Sequence, residues 1–169
     1  MPVSIEDAVL RRIVPGPELV EEIRATTERM KAETERYLEE NNIAAEVRCV
    51  GSVAKGTFLT DPDIDLFVMF PDGTSREVME KKGLQIGEDI LGGKKMYAEH
   101  PYITGRYGGF EVDMVPCYKV TSPEKMLSAV DRTPFHTDYV LSNTNAAMRD
   151  QIRLLKVFMK GIWAYGAEP

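Results

Sequence analysis

Apolar residues in this chain fall into two patterns, one at helical spacing and one in short continuous or alternating runs. Together they predict a mixed sheet flanked by helices. Ser4, with Asp7 three positions on, has the form of a capping box ahead of Ala8-Val9-Leu10, and Pro15-Gly16-Pro17 ends that first short helix. Residues 18–40 read as a long helix with Leu19, Ile23, Met30, Tyr37 and Leu38 near one face and charged residues on the other. Residues 45–50 form a strand, and Gly51-Ser52 turns out of it. Residues 64–70 are almost wholly apolar once past the acids, which predicts a central, buried strand. A helix follows over 76–91, capped by Ser75 and stopped by Gly92-Gly93. Strands are expected over 95–100, 102–107 and 110–118, with Gly108-Gly109 making a tight hairpin between the last two. Ser122-Pro123-Glu124 starts another helix, and 146–163 forms a last amphipathic one carrying Ile152, Leu155, Phe158 and Met159. The fold class is α/β or α+β, with a long N-terminal helix and a C-terminal helix.

Composition narrows the picture. At 169 residues the chain suffices for one domain with a sizeable core, and 43% hydrophobic with 28% charged residues is ordinary for a globular protein. No apolar run approaches a membrane span, and residues 1–7 lack the basic and apolar regions of a signal peptide. A cytoplasmic protein with no membrane partner is therefore expected. Cys49 and Cys117 lie in apolar strand-like runs and are expected as buried free thiols. With two histidines, the chain has little to offer a Cys/His zinc site. A net charge of -6 argues against a broad basic surface for nucleic acid. It leaves room for a metal-dependent nucleotide site, whose ligands would be carboxylates.

The chemistry is concentrated in Gly51-Ser52-Val53-Ala54-Lys55-Gly56-Thr57, then Asp63-Ile64-Asp65, then Asp113 within Glu111-Val112-Asp113-Met114-Val115. Strand alternation puts Asp63 and Asp65 on one face, with Ile64 and Leu66 toward the core. Asp113 reaches that face if its strand is a neighbour. An Asp-x-Asp pair after a proline is commonly just a surface turn. A charge set among Val112, Met114 and Val115, however, needs a partner. Three crowded carboxylates repel, and magnesium, a hard cation favouring oxygen, relieves that. With two ions, one activates an attacking hydroxyl and the other stabilises leaving pyrophosphate. Asp63 and Asp65 would bridge both, and Asp113 would serve the ion that meets the hydroxyl.

Gly51 permits close backbone approach to a ligand, Ser52 offers a hydroxyl and an amide, and Lys55 adds a point charge for a triphosphate. This is not a P-loop, because the Gly-Lys-Ser/Thr ending is absent. In Asp131-Arg132-Thr133-Pro134-Phe135-His136, Thr133 and His136 suit a sugar or phosphate contact about as well as a helix cap and a surface histidine. Lys156 and Lys160 share one face of the last helix. For Lys160 an ordinary solvated basic stripe is the better reading. Tyr165 suits stacking on a base, contacting phosphate or closing the core.

The run from Gly51-Ser52 through Asp63-Ile64-Asp65 to Asp113 resembles the polymerase-beta-like nucleotidyltransferase superfamily. Tyr97-Ala98-Glu99-His100-Pro101-Tyr102, Val112 to Tyr118, Ser128 to His136, Arg153-Leu154-Leu155-Lys156 and Tyr165-Gly166-Ala167-Glu168 narrow the resemblance to the archaeal CCA-adding enzymes, the class I tRNA nucleotidyltransferases. The resemblance spans nearly the whole chain. It implies that CTP and ATP donate C, C and A to the tRNA 3′ end. It further implies that Asp63, Asp65 and Asp113 bind Mg2+, that Ser52 and Lys55 hold the triphosphate, and that His136, Lys156 and Tyr165 complete the nucleotide site. Asp63 stands where glutamate is frequent, and Lys55 where arginine is. The resemblance divides the chain into a catalytic domain over 1–140 and the start of a truncated helical domain over 141–169, leaving more protein expected beyond. A homodimer stays open. The alternatives are a smaller nucleotidyltransferase that modifies a protein or small molecule, against which the 131–136 segment speaks, and a non-catalytic nucleotide-binding module, against which the three acids speak.

Overall fold

One mixed sheet of five strands, in the order β1-β2-β5-β4-β3, organises the molecule, a computed structural model that describes residues 4–164. The strands are β1 (Glu46–Val50), β2 (Asp63–Pro71), β3 (Lys94–Tyr97), β4 (Pro101–Tyr107) and β5 (Phe110–Lys119). Only β2 and β5 run parallel; β1–β2, β4–β5 and β3–β4 are antiparallel. The helices are α1 (Ile5–Ile13), α2 (Pro17–Glu40), α3 (Gly51–Lys55), α4 (Arg76–Leu91), α5 (Thr133–Asn143) and α6 (Ala146–Gly161).

β2 is buried on both faces, as its apolar run implies. Ile64, Leu66, Val68 and Phe70 point to the main core, where they meet Val112 and Met114 of β5, Ile23, Met30 and Leu38 of α2, and Met79 and Ile86 of α4. Phe67 and Met69 point the other way and join Val50 and Cys117 in a smaller cluster. The buried threonines of α2 satisfy themselves inside the helix: Thr27 Oγ1 donates to Ile23 O (2.7 Å) and Thr34 Oγ1 to Met30 O (2.8 Å). The Ser4 cap is in place, accepting from Asp7 N, and Ser75 caps α4 by accepting from Val78 N. Gly108 and Gly109 both take positive φ in the β4–β5 hairpin. Cys117 is buried and Cys49 half-buried, both free thiols.

Two expectations are corrected. The strand expected over 95–100 ends at Tyr97, because the Ala98 N to His100 O bond closes a turn and the Glu99 carboxylate accepts from Ala129 N (3.0 Å). The helix expected from Ser122-Pro123-Glu124 is a single 3₁₀ turn, Pro123–Lys125. It does not continue because the amides of Leu127 and Ser128 are taken by the Asp131 carboxylate (3.1 and 2.8 Å). Residues 133–143, for which no element is predicted above, are helix α5. Its apolar spacing is irregular and Thr, Tyr and Val are modest helix formers, but Pro134 in the first turn costs nothing there. None of the described helices is long and apolar enough to cross a membrane.

α4 approaches the sheet through Gly83 and Gly87. A Cβ on Gly83 would stand 2.4 Å from Pro116 Cβ, and one on Gly87 2.7 Å from Ile103 Cβ. Alanine in a helix interior gains about 1 kcal/mol over glycine, but overpacking costs about 1–3 kcal/mol. Gly83→Ala should therefore destabilise the chain on balance, read as a lower urea midpoint with an unchanged slope. A raised midpoint would refute this packing.

Candidate active site

The parallel pairing of β2 with β5 brings the acids together. Asp65 lies opposite Asp113 and Asp63 opposite Glu111. Asp63 and Asp65, two apart on one strand, share a face with Asp113. Asp65 and Asp113 are half-buried, and Asp63 is exposed. Val50 and Asp65 are also register partners, so the chain leaves β1 into α3 directly beside Asp65. Gly51 makes this possible. Its φ is +69°, and a Cβ there would sit 1.7 Å from Asp65 Oδ2. Gly56 closes the short α3 in the left-handed conformation.

The loop after α3 is clamped by α6. Arg153 Nη2 donates to Gly56 O (2.6 Å) and Nε to Phe58 O (3.0 Å), while Nη1 pairs with Asp150 (2.7 Å). Lys156 Nζ donates to Thr57 O (3.0 Å) and approaches Thr57 Oγ1 (3.5 Å). Between α3, β2, α5 and α6 opens a cavity of about 620 Å³. It is lined by Gly51, Ser52, Lys55, Thr57, Phe58, Leu59, Asp61, Asp63, Asp65, Val140, Ile152, Lys156 and Lys160.

Acidic and basic side chains line this cavity together. Burial, then the neighbouring Asp63 and Asp113, push the Asp65 carboxyl up to about 6, against the pull of Lys55 and Lys156. Asp113 is raised chiefly by burial, with Asp63 and Glu111 adding to it and a hydrogen bond from the Thr104 hydroxyl opposing it. Lys156 is lowered by burial first and then by Lys55, Arg153 and Lys160, with Asp63 opposing. Asp65 and Asp113 are thus short of positive charge, and Lys156 of negative charge. Among the described residues, no group of three His, Cys, Asp or Glu side chains is pre-arranged around a metal position. The oxygen-only, mutually repelling, partly buried set of Asp63, Asp65 and Asp113 nevertheless suits a hard divalent cation, whose charge would draw them together.

The residues named from the sequence are distributed as follows. Gly51, Ser52, Lys55, Asp63, Asp65 and Lys156 line the cavity, and Asp113 stands one strand further on. Thr133 and His136 lie on α5, outside the lining. Thr133 is half-buried, with its carbonyl accepting from Thr137 Oγ1 (3.0 Å), and His136 is exposed one turn before the lining residue Val140. Tyr165 falls outside the described residues. Lys160, read as a solvated stripe, is exposed and also lies on the cavity wall, because α6 presents the Ile152, Lys156 and Lys160 face to it. Thr57, Asp61 and the clamp of Arg153 were not singled out from the sequence. Asp61 carried a signal, being a third acid in Asp61-Pro62-Asp63-Ile64-Asp65; the carbonyls bound by Arg153 left none. Asp131 is wholly buried and accepts from the amides of Tyr118 (2.8 Å), Leu127 and Ser128, so it holds the chain between β5 and α5 together.

Residues 31–136 match the nucleotidyltransferase domain family, and the chain belongs to it. Among curated relatives, the chain is 44% identical over 162 residues to a CCA-adding enzyme of Thermoplasma volcanium, covering 95% of this chain and 37% of that protein. It is 45% identical over 174 residues to a CCA-adding enzyme of Pyrococcus horikoshii, covering 98% and 38%. The chain thus spans little more than a third of these relatives' length. Among solved structures, E. coli MS115-1 CdnC with ATP superposes with a TM-score of 0.67 at 18% identity, over 94% of this chain and 57% of that one. A cytoplasmic RNA terminal U-transferase gives 0.62 at 20% identity, over 92% and 44%. These two share the fold.

Two predictions follow from burial. The Asp65 carboxyl is raised in the folded state from 3.8 to about 6, so the folded chain binds more protons than the unfolded one between those values. Stability of the metal-free chain should fall as pH rises through that window, by roughly 3 kcal/mol for the isolated effect. Asp65→Asn should flatten this fall and raise the melting temperature at pH 8 in chelator; a variant melting below wild type there would contradict it. Asp131→Ala strands three amides, at least partly from water, and should cost about 2–4 kcal/mol. Equilibrium unfolding within 0.5 kcal/mol (roughly the span of neutral surface changes) of wild type would remove that structural role.

Proposed function

We propose that this chain is the catalytic portion of an enzyme that builds CCA on the 3′ end of tRNA from CTP and ATP. The carrying observation is one cavity lined by the β2 carboxylates Asp63 and Asp65 and by lysines of α3 and α6, in which Asp65 is crowded by acids and Lys156 by cations. A nucleoside triphosphate with its cation satisfies both. The names of the relatives supply the substrates in this reading.

In the reaction the terminal hydroxyl oxygen of the RNA bonds to the α-phosphorus, the bond to the β-phosphate oxygen breaks, the hydroxyl proton is released and pyrophosphate leaves. Lys55 and Lys156 hold the triphosphate as point charges, with Ser52 donating from the end of α3. Thr57 keeps Lys156 aimed into the cavity, and Arg153 keeps Thr57 in place. Thr133 and His136 on α5, with Tyr165 beyond α6, complete the sugar and base side. Asp63, Asp65 and Asp113 hold magnesium, which when bound supplies activation of the hydroxyl and charge stabilisation for the departing pyrophosphate. Base choice and much of the grip on tRNA belong, in this reading, to the parts of the longer relatives that the match does not reach.

Titration of the chain with CTP should give tighter binding in magnesium than in chelator. Lys156→Ala should weaken it about tenfold or more, the loss of a charge-assisted contact. In tRNA lacking its 3′ end, incorporation by the enzyme carrying Asp113→Asn should drop by at least about a hundredfold. Near-normal incorporation by that variant would defeat the assignment of the acids.

A further inference from the structure

Two cross-strand rows run past the acids toward the sheet edge. Asp65 pairs with Asp113, Asp113 with Thr104, and Thr104 with Lys94, one residue from each of β2, β5, β4 and β3. In the adjoining row Asp63 pairs with Glu111, and Glu111 with Arg106. Direct cross-strand partners project from the same face, so both rows carry acids at one end and a cation at the other. The reverse face is occupied. Ile103 is fully buried there, a Cβ on Gly87 would stand 2.7 Å from it, and one on Gly105 would stand 2.9 Å from Leu91 Cβ, all against α4. The face bearing Thr104 points away from α4, and on it Lys94 and Arg106 are exposed. Arg106 Nη2 donates to Gly109 O (2.7 Å), which steadies the guanidinium at the hairpin and leaves its other N–H donors available.

We infer that this outer face of β4 and β3 is the track along which the acceptor RNA strand reaches the site, with its terminal hydroxyl at Asp113 and upstream backbone phosphates against Lys94 and Arg106. The inference rests on the reading of the chain as a tRNA nucleotidyltransferase and adds the side from which the acceptor arrives. Charge selects the occupant. The chain carries -6 and its acids repel a polyanion, so a phosphate strand that must end at Asp113 needs cations on its approach. Lys55, Lys156 and Lys160 line the cavity on the nucleotide side; Lys94 and Arg106 have no part in it. Distance agrees. Lys94 lies two strand spacings, about 10 Å, from Asp113, within reach of a phosphate just upstream of the terminal nucleotide. Lysines on an edge strand also guard against sheet extension, a role whose loss shows as self-association and not as weaker RNA binding.

The test is fluorescence anisotropy of a short, labelled single-stranded RNA ending in CC, titrated with the chain over a salt series. Calorimetry with CTP and magnesium, and gel filtration, run alongside. Lys94→Ala and Arg106→Ala should each weaken RNA binding several-fold and reduce the slope of log K on log salt by about 0.7, one phosphate contact on a single strand. Lys82→Ala, the same charge loss on the exposed side of α4, should change neither, and CTP binding should be unaltered in all three. A wild-type chain that binds CTP but not the RNA overturns the track and leaves the functional reading standing. So do Lys94 and Arg106 variants that match Lys82→Ala, or that only self-associate. A wild-type chain that binds neither ligand overturns both.

Discussion

The parallel pairing of β2 with β5 is the constraint on which everything else here depends. It sets Asp65 opposite Asp113 and Asp63 opposite Glu111, so acids far apart in the chain share one face. Parallel neighbours cannot be joined by a tight turn, and the connection here carries α4 and the strands β3 and β4. α4 packs against the reverse of β4 and β5 through Gly83 and Gly87, and β4 and β3 extend the sheet beyond the acids. The crossover that permits the pairing therefore also supplies the surface that adjoins Asp113.

Around that pairing the molecule holds unneutralised charge. Asp65 and Asp113 are partly withdrawn from water beside like charges, and Lys156 is withdrawn among other cations. Such an arrangement lowers stability unless ligands of the opposite sign complete it. The supports around it are correspondingly firm. Gly51 admits the Asp65 carboxylate where any side chain would collide, and Arg153 ties the loop after α3 to α6 through two carbonyls. The cost is borne at the cavity, and the apolar core of β2, β5, α2 and α4 offsets it.

Much of this was legible in the sequence. The boundaries of α2, α4, β2 and β5 follow from apolar spacing and from end signals such as Ser75 and Gly92. The acids were legible because an aspartate within an apolar strand has no ordinary reason to be there. α5 was not, because its pattern lacks a helical period and its start coincides with polar residues. The early end of the Pro123–Lys125 turn was not legible either, because it results from the Asp131 carboxylate capturing amides that a helix would have used. Lys160 is exposed, as read, but its place on the cavity wall was not legible. A lysine on an amphipathic helix reads as solvated until the helix's neighbour is known.

By itself the sequence determined where α2, α4, β2 and β5 form, that β2 is central, and that Asp63, Asp65 and Asp113 are acids set in or beside apolar strands. Those properties depend on local periodicity and on the cost of burying charge, both of which are written residue by residue. Only the tertiary structure decided that β5 lies beside β2, that α6 closes the cavity with Lys156 and Lys160, and that Lys94 and Arg106 stand in the same rows as the acids. Strand order and register depend on how whole faces fit together, and no short window of sequence carries that information.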